Sequence, residues 1–229
     1  IIEPLKATKN KFQGLFTELQ KGAIFNKTIR IRFKYRVTGR APSRILYYVR
    51  LFFVAPIRFI PWGEYFIRFL ESKINPHTQN DYLFEKYNPD LVFSTAAVND
   101  SYIIKGAKRF GVTSVDMPKS WDNLSKMLFP VKADHLFVWN PFMREQAIKF
   151  QGYKEKEISM TGVPQFDFYF QEERLHSREE FCKRFQINPN KKIILYGSTG
   201  GNCVDENPYL ELLNEYIERG FLPNTHVLV

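Results

Sequence analysis

At 229 residues, 44% hydrophobic and 25% charged, the chain has the composition of an ordinary globular protein and can bury a real core. Its net charge of +9 is local: residues 1–72 hold 14 Lys/Arg against 4 Asp/Glu (+10), and residues 73–229 hold 19 against 20 (−1), which excludes a generally basic protein. Two cysteines, Cys182 and Cys203, exclude a disulfide framework, and no Cys/His cluster has zinc spacing, so no metal is expected.

In chain order, "TIRIRFKYRV" (28–37) alternates basic and apolar residues, which suits a strand or a basic amphipathic helix. Residues 43–74 read as one or two helices broken near Pro56 and Pro61. The apolar run Ile45 to Trp62 is interrupted by Arg50, Pro56, Arg58 and Pro61, and so fails the requirement of about 20 mostly apolar residues for a membrane span. The basic, aromatic segment 28–74 is read three ways: nucleic-acid binding, docking on an anionic membrane surface, or a core helix pair with solvated charges. Dense Phe, Leu, Ile and Trp beside scattered arginines favours the membrane and disfavours nucleic acid.

From residue 90 strands and helices alternate. "DLVFST" (90–95) predicts a strand, and residues 99–110 a helix capped by Asn99 or Asp100 and stopped by Gly111. Strands are next expected at 112–117 and 135–139. Asn140-Pro141 then opens a helix, and 157–162 is again a strand. Ser177 and Glu180 form a capping box for a short helix. "KKIILYG" (191–197), a glycine loop, a helix over 209–219 and a final strand make a second unit of the same kind. This rhythm predicts parallel sheets and an α/β fold. The expected division is an N-terminal Rossmann-like domain over 1–170, a linker over 171–190, and the start of a second domain over 191–229. The chain begins without methionine and stops inside a strand, so it is expected to be a piece of a longer protein.

Ligands in such sheets bind outside the carboxyl ends of the strands. Four polar loops fall there: 94–100, 118–123, 162–167 and 197–201. Gly197, Ser198, Thr199, Gly200 and Gly201 can bring backbone amides to a phosphate, or simply make a tight turn. Gln165 and Asp167 can meet a polar ligand or merely leave the first domain. In "SWDN", Asp122 can serve as a general base, with Ser120 or Asn123 orienting substrate and Trp121 as an apolar wall. The other reading is a turn in which Asp122 and Asn123 bond their own backbone while Trp121 plugs the core.

"NPDLVFST", "AKRFGVTSVDMPKSWDNL", "ADHLFVWNPFMREQAIKF" and "ISMTGVPQFDFY" together resemble a family of GT-B-type glycosyltransferases of surface-polysaccharide biosynthesis, related to CDP-glycerol glycerophosphotransferases and nucleotide-sugar 2-epimerases. The resemblance implies two Rossmann-like domains, the first incomplete at its start and the second truncated, so that the piece alone would be inactive. It implies an acceptor against the first domain and a nucleotide-sugar donor against the second, with no cofactor beyond that substrate. In the glycerophosphotransferase branch a Trp-His-Gly motif ends the equivalent strand, its histidine taken as the base. Trp121 matches the tryptophan, but Asp122 stands in the histidine's place, which argues against a polyol-phosphate polymerase and makes Asp122 the expected base. The implied enzyme adds a sugar to a cell-surface glycan or lipid-linked acceptor, in the cytoplasm on the inner face of the membrane. A 2-epimerase, a glycerophosphotransferase and a non-catalytic sugar-nucleotide-binding protein are the alternatives.

Overall fold

The computed structural model describes residues 12–24, 26–27, 52–53, 56, 59–60, 62–96, 98–198 and 205–229. Residues 28–51 of the basic, aromatic segment 28–74, together with Thr199, Gly200 and Gly201, therefore lie outside the described residues. The chain divides into two compact units, Ile1–Pro164 and Gln165–Val229.

In the first unit, helices α1 (Gln13–Ala23), α2 (Gly63–Ile74) and α3 (Asp81–Tyr87) precede a four-stranded parallel sheet. Its strands are β1 (Leu91–Ser94), β2 (Thr113–Asp116), β3 (His135–Val138) and β4 (Ile158–Met160), adjacent in sequence order. Helix α4 (Ser101–Phe110) joins β1 to β2, the single turn α5 (Asn123–Lys126) lies between β2 and β3, and α6 (Pro141–Gln151) joins β3 to β4. This is the Rossmann-like α/β arrangement that alternating strands and helices predict.

Local chemistry sets the helix ends. Asn140 Oδ1 accepts from Met143 N at 2.9 Å with Pro141 in the first turn, and Gly111 stops α4 at φ +69°. Asp100 stands at the cap of α4 but makes no cap bond, because its carboxylate is turned toward Ser94. The sheet is two-faced with period two. Ser94, Ser114, Asp116, Leu136 and Val138 face inward. Phe93 and Phe137 stand on the opposite face with ring centroids 6.0 Å apart, and Leu91 and Phe93 are half exposed there. On the inner side Leu124, Phe129, Leu136, Val138, Met143, Ala147 and Tyr153 form the core. Full burial of each large side chain contributes roughly 1.5–3 kcal/mol.

The second unit holds two short 3-10 turns, α7 (Arg178–Arg184) with the expected reciprocal Ser177–Glu180 capping box, and the parallel pair β5 (Lys192–Leu195) and β6 (Thr225–Leu228). Helix α8 (Asn207–Glu218) connects these strands, completing a β–α–β unit. Residues 171–190 carry α7 and belong to this unit.

Candidate active site

Ser94 ends β1 and Asp116 ends β2, side by side in register at the carboxyl edge of the sheet. Ser94 Oγ donates to Asp100 Oδ2 at 3.4 Å and accepts from Ala96 N at 3.2 Å; its carbonyl accepts from Met117 N at 2.9 Å. Asp116 is 1% exposed, and neither carboxylate oxygen has a hydrogen bond of full geometry among the described residues. Burial is the main reason its pKa rises to about 7; the charge of Asp100 adds to the rise, while Ser94 and the Met117 amide oppose it. Burial also raises Asp100, against the pull of Ser94. Asp116 at the end of β2 and Asp100 at the cap of α4 are thus two carboxylates of raised pKa, each interacting with the Ser94 hydroxyl.

The turn after β2 brings Ser120, Trp121, Asp122 and Asn123 together. Asn123 Oδ1 accepts from Ser120 N at 2.7 Å, and Asn123 N donates to Ser120 O at 3.1 Å, so the amide closes its own turn. Trp121 is 59% exposed and does not enter the core; Leu124, fully buried, does. Asp122 Oδ2 lies 2.5 Å from Lys126 Nζ, and its Oδ1 has no hydrogen-bond partner among the described residues. Ser125 Oγ donates to the Asp122 carbonyl at 3.3 Å.

The chain beyond this turn is pinned from below. Gln151, fully buried at the end of α6, donates through Nε2 to the carbonyls of Leu124 (2.8 Å) and Met127 (3.0 Å), and its Oε1 accepts from Phe129 N at 2.9 Å. Arg68 of α2 donates to the carbonyls of Phe129 and Gln151, each at 3.0 Å. Burial lowers its pKa, against the pull of Glu64.

A cavity of about 310 Å³ opens between α1, the end of α2, the loop before α4 and residues 127–130. Phe16, Gln20, Glu71, His77, Asn99 and Tyr102 are among its walls. Lys105 Nζ lies 2.6 Å from Glu71 Oε2, both side chains nearly out of water, and donates to Asn75 O at 2.8 Å.

The other expected site residues belong to the second unit. Gln165 and Asp167 are exposed on the 3-10 stretch Pro164–Phe170, and Gly197 and Ser198 are exposed just beyond β5. Among the described residues no group of three or more His, Cys, Asp or Glu is placed to hold a metal ion. Sequence reasoning missed Asp116 and the role of Asp100. A sequence signal existed: Ser114 and Asp116 occupy the same face of a short strand, so an acid at its last position had to point inward with them.

Residues 104–199 match the family model of CDP-Glycerol:Poly(glycerophosphate) glycerophosphotransferase, a glycosyltransferase-like family of transferases. The matched stretch runs from within α4 to the loop after β5. No curated protein and no solved structure matches the chain.

Proposed function

We propose that the chain is part of a GT-B transferase that moves a sugar from a nucleotide-sugar donor to a cell-surface glycan or lipid-linked acceptor. The observation that carries this reading is the family match over residues 104–199, which spans the turn after β2 and all of β3 and β4. The acceptor lies at the carboxyl edge of the first sheet, where ligands of open α/β sheets bind. In this reading Asp122 takes the proton of the acceptor hydroxyl, its Oδ2 paired with Lys126. The hydroxyl oxygen bonds to the anomeric carbon as the bond to the diphosphate breaks. The nucleoside diphosphate is the leaving group, and Gly197, Ser198, Thr199, Gly200, Gly201, Gln165 and Asp167 are the residues proposed to contact the donor.

A second reading is glycerophosphoryl transfer, favoured by the name of the matched family. Full-length enzyme given a panel of UDP-sugars and CDP-glycerol separates the two: nucleotide release with a UDP-sugar and acceptor is expected. Release from CDP-glycerol alone would install the second reading, and release from no donor would leave a binding protein.

We also propose peripheral docking on the anionic cytoplasmic face of the membrane. Tyr65, Phe66 and Phe69 recur at helical spacing on the exposed side of α2, with exposed Trp62 just before it, while Ile67, Arg68 and Glu71 face inward. Phe52, Phe53 and Phe59 are exposed as well, and Trp62 and Phe59 edge a groove of about 320 Å³ with Lys149 and Phe150. Among the described residues no helix is long and apolar enough to cross a membrane.

A further inference from the structure

We infer that the cavity between α1, α2 and α4 binds an uncharged, hydroxyl-rich group, the sugar end of the acceptor, and rejects an anionic polyol-phosphate chain. The acceptor role rests on the function proposed above; the ligand chemistry rests on the walls alone.

Those walls are neutral hydrogen-bonding groups beside an aromatic ring. Gln20 is 3% exposed and lines the cavity. Its carboxamide offers a ligand hydroxyl both a donor and an acceptor. Asn99 and Tyr102 add neutral polar groups on the far side. Phe16, itself buried, supplies an apolar surface of the kind that packs on the carbon face of a sugar ring.

Charge decides against a phosphate. Neither lysine nor arginine lines the cavity among the described residues. Among the described residues its one charged wall residue is Glu71, and Lys105, which answers it, is held 2.6 Å away and turned to Asn75 O. Asp100 lies between the wall residues Asn99 and Ser101. Burial, with Lys105 and Arg109 nearby, lowers the pKa of His77, which favours its neutral imidazole. An incoming phosphate would lose its water and meet Glu71 with no lysine or arginine among the described wall residues. The volume is at the lower end of the range of roughly 300–1,000 Å³ for small-molecule sites, which suits one ring.

The test is ligand-observed NMR and calorimetry on the chain with methyl N-acetyl-β-D-glucosaminide and methyl β-D-glucoside, against glycerol 3-phosphate and inorganic phosphate. At least one glycoside is expected to bind about tenfold or more tightly than either phosphate. Gln20→Leu keeps the volume and removes the amide, and Asn99→Ala changes an exposed side chain; each should weaken the glycoside roughly three- to tenfold, as losing one hydrogen bond does. No glycoside binding, equal binding of glycerol 3-phosphate, or indifference to both variants would overturn the assignment. Transfer assays on the full-length enzyme separate this from the function above. Glycoside binding here without nucleotide release from any donor sinks the transferase and leaves the cavity standing. Transfer whose acceptor KM ignores both variants does the reverse.

Discussion

The Gln151 carboxamide accepts from Phe129 N at 2.9 Å while donating to the carbonyls of Leu124 and Met127, so one side chain of α6 fixes the chain beyond the Asp122 turn. Gln151→Leu fills the same space and strands three buried backbone groups. It should destabilise the fold by about 2–4 kcal/mol, read from urea unfolding, and speed amide exchange at Phe129 before other core amides. Unchanged exchange at Phe129 would deny that the amide holds the turn.

Glu71 and Lys105 form a buried pair whose pKa values are both pushed toward neutrality by burial, Glu71 upward and Lys105 downward. Lys105→Met should cost about 3–5 kcal/mol, because a carboxylate is left alone out of water. The double change Lys105→Met with Glu71→Leu should recover most of that loss. A double variant no more stable than the single one would show the penalty to be packing and not charge.

Asp116 carries a pH dependence of fixed sign. Its folded pKa of about 7 lies above the ordinary carboxylate value, so the folded state binds the extra proton. The stability this gives is fully present below about pH 4 and drains away as pH rises to about 7. Asp116→Asn should therefore stabilise the chain at pH 7–8, by an amount on the order of 1–3 kcal/mol, and flatten stability between pH 4 and 7. Thermal melts of the two proteins across that range measure it.

Asp122→Asn in the full-length enzyme should lower turnover by roughly 10²–10⁴-fold with little change in melting temperature, the loss expected of a missing general base. Lys126→Ala serves as the control for the ion pair alone, since exposed pairs contribute about 0–1 kcal/mol. Full activity in Asp122→Asn would move the base elsewhere, and Asp100 would be the next carboxylate to test.

Phe66→Ser with Phe69→Ser should reduce flotation with anionic phosphatidylserine vesicles by tenfold or more, since each phenyl ring contributes roughly 1.5–3 kcal/mol when buried. Equal flotation of the unaltered chain with neutral and anionic vesicles would remove the electrostatic half of the proposal.

The sheet was legible because its signals are local. Alternating apolar strands, the Asn140-Pro141 opening, the stop at Gly111 and the Ser177–Glu180 box all act within a few residues. The "SWDN" turn was half legible: the Asn123 bond to Ser120 is a short-range pattern, whereas the exposure of Trp121 depends on which neighbour reaches the core, and Leu124 does. Gln151, Arg68 and the Glu71–Lys105 pair were not legible. Their partners lie 22 to 83 residues away along the chain for the hydrogen bonds to Phe129 and Gln151, and nothing in a linear pattern marks a polar residue as satisfied at such range.

Strand β1 lies at one border of the four-stranded sheet, and among the described residues no strand pairs with its outer side. Leu91 and Phe93 already stand half uncovered there. The sheet is consequently extensible: a further strand running parallel to β1 would meet a ready row of donors and acceptors and cover two apolar side chains at once, and the same row laid bare in isolation is a template for self-association.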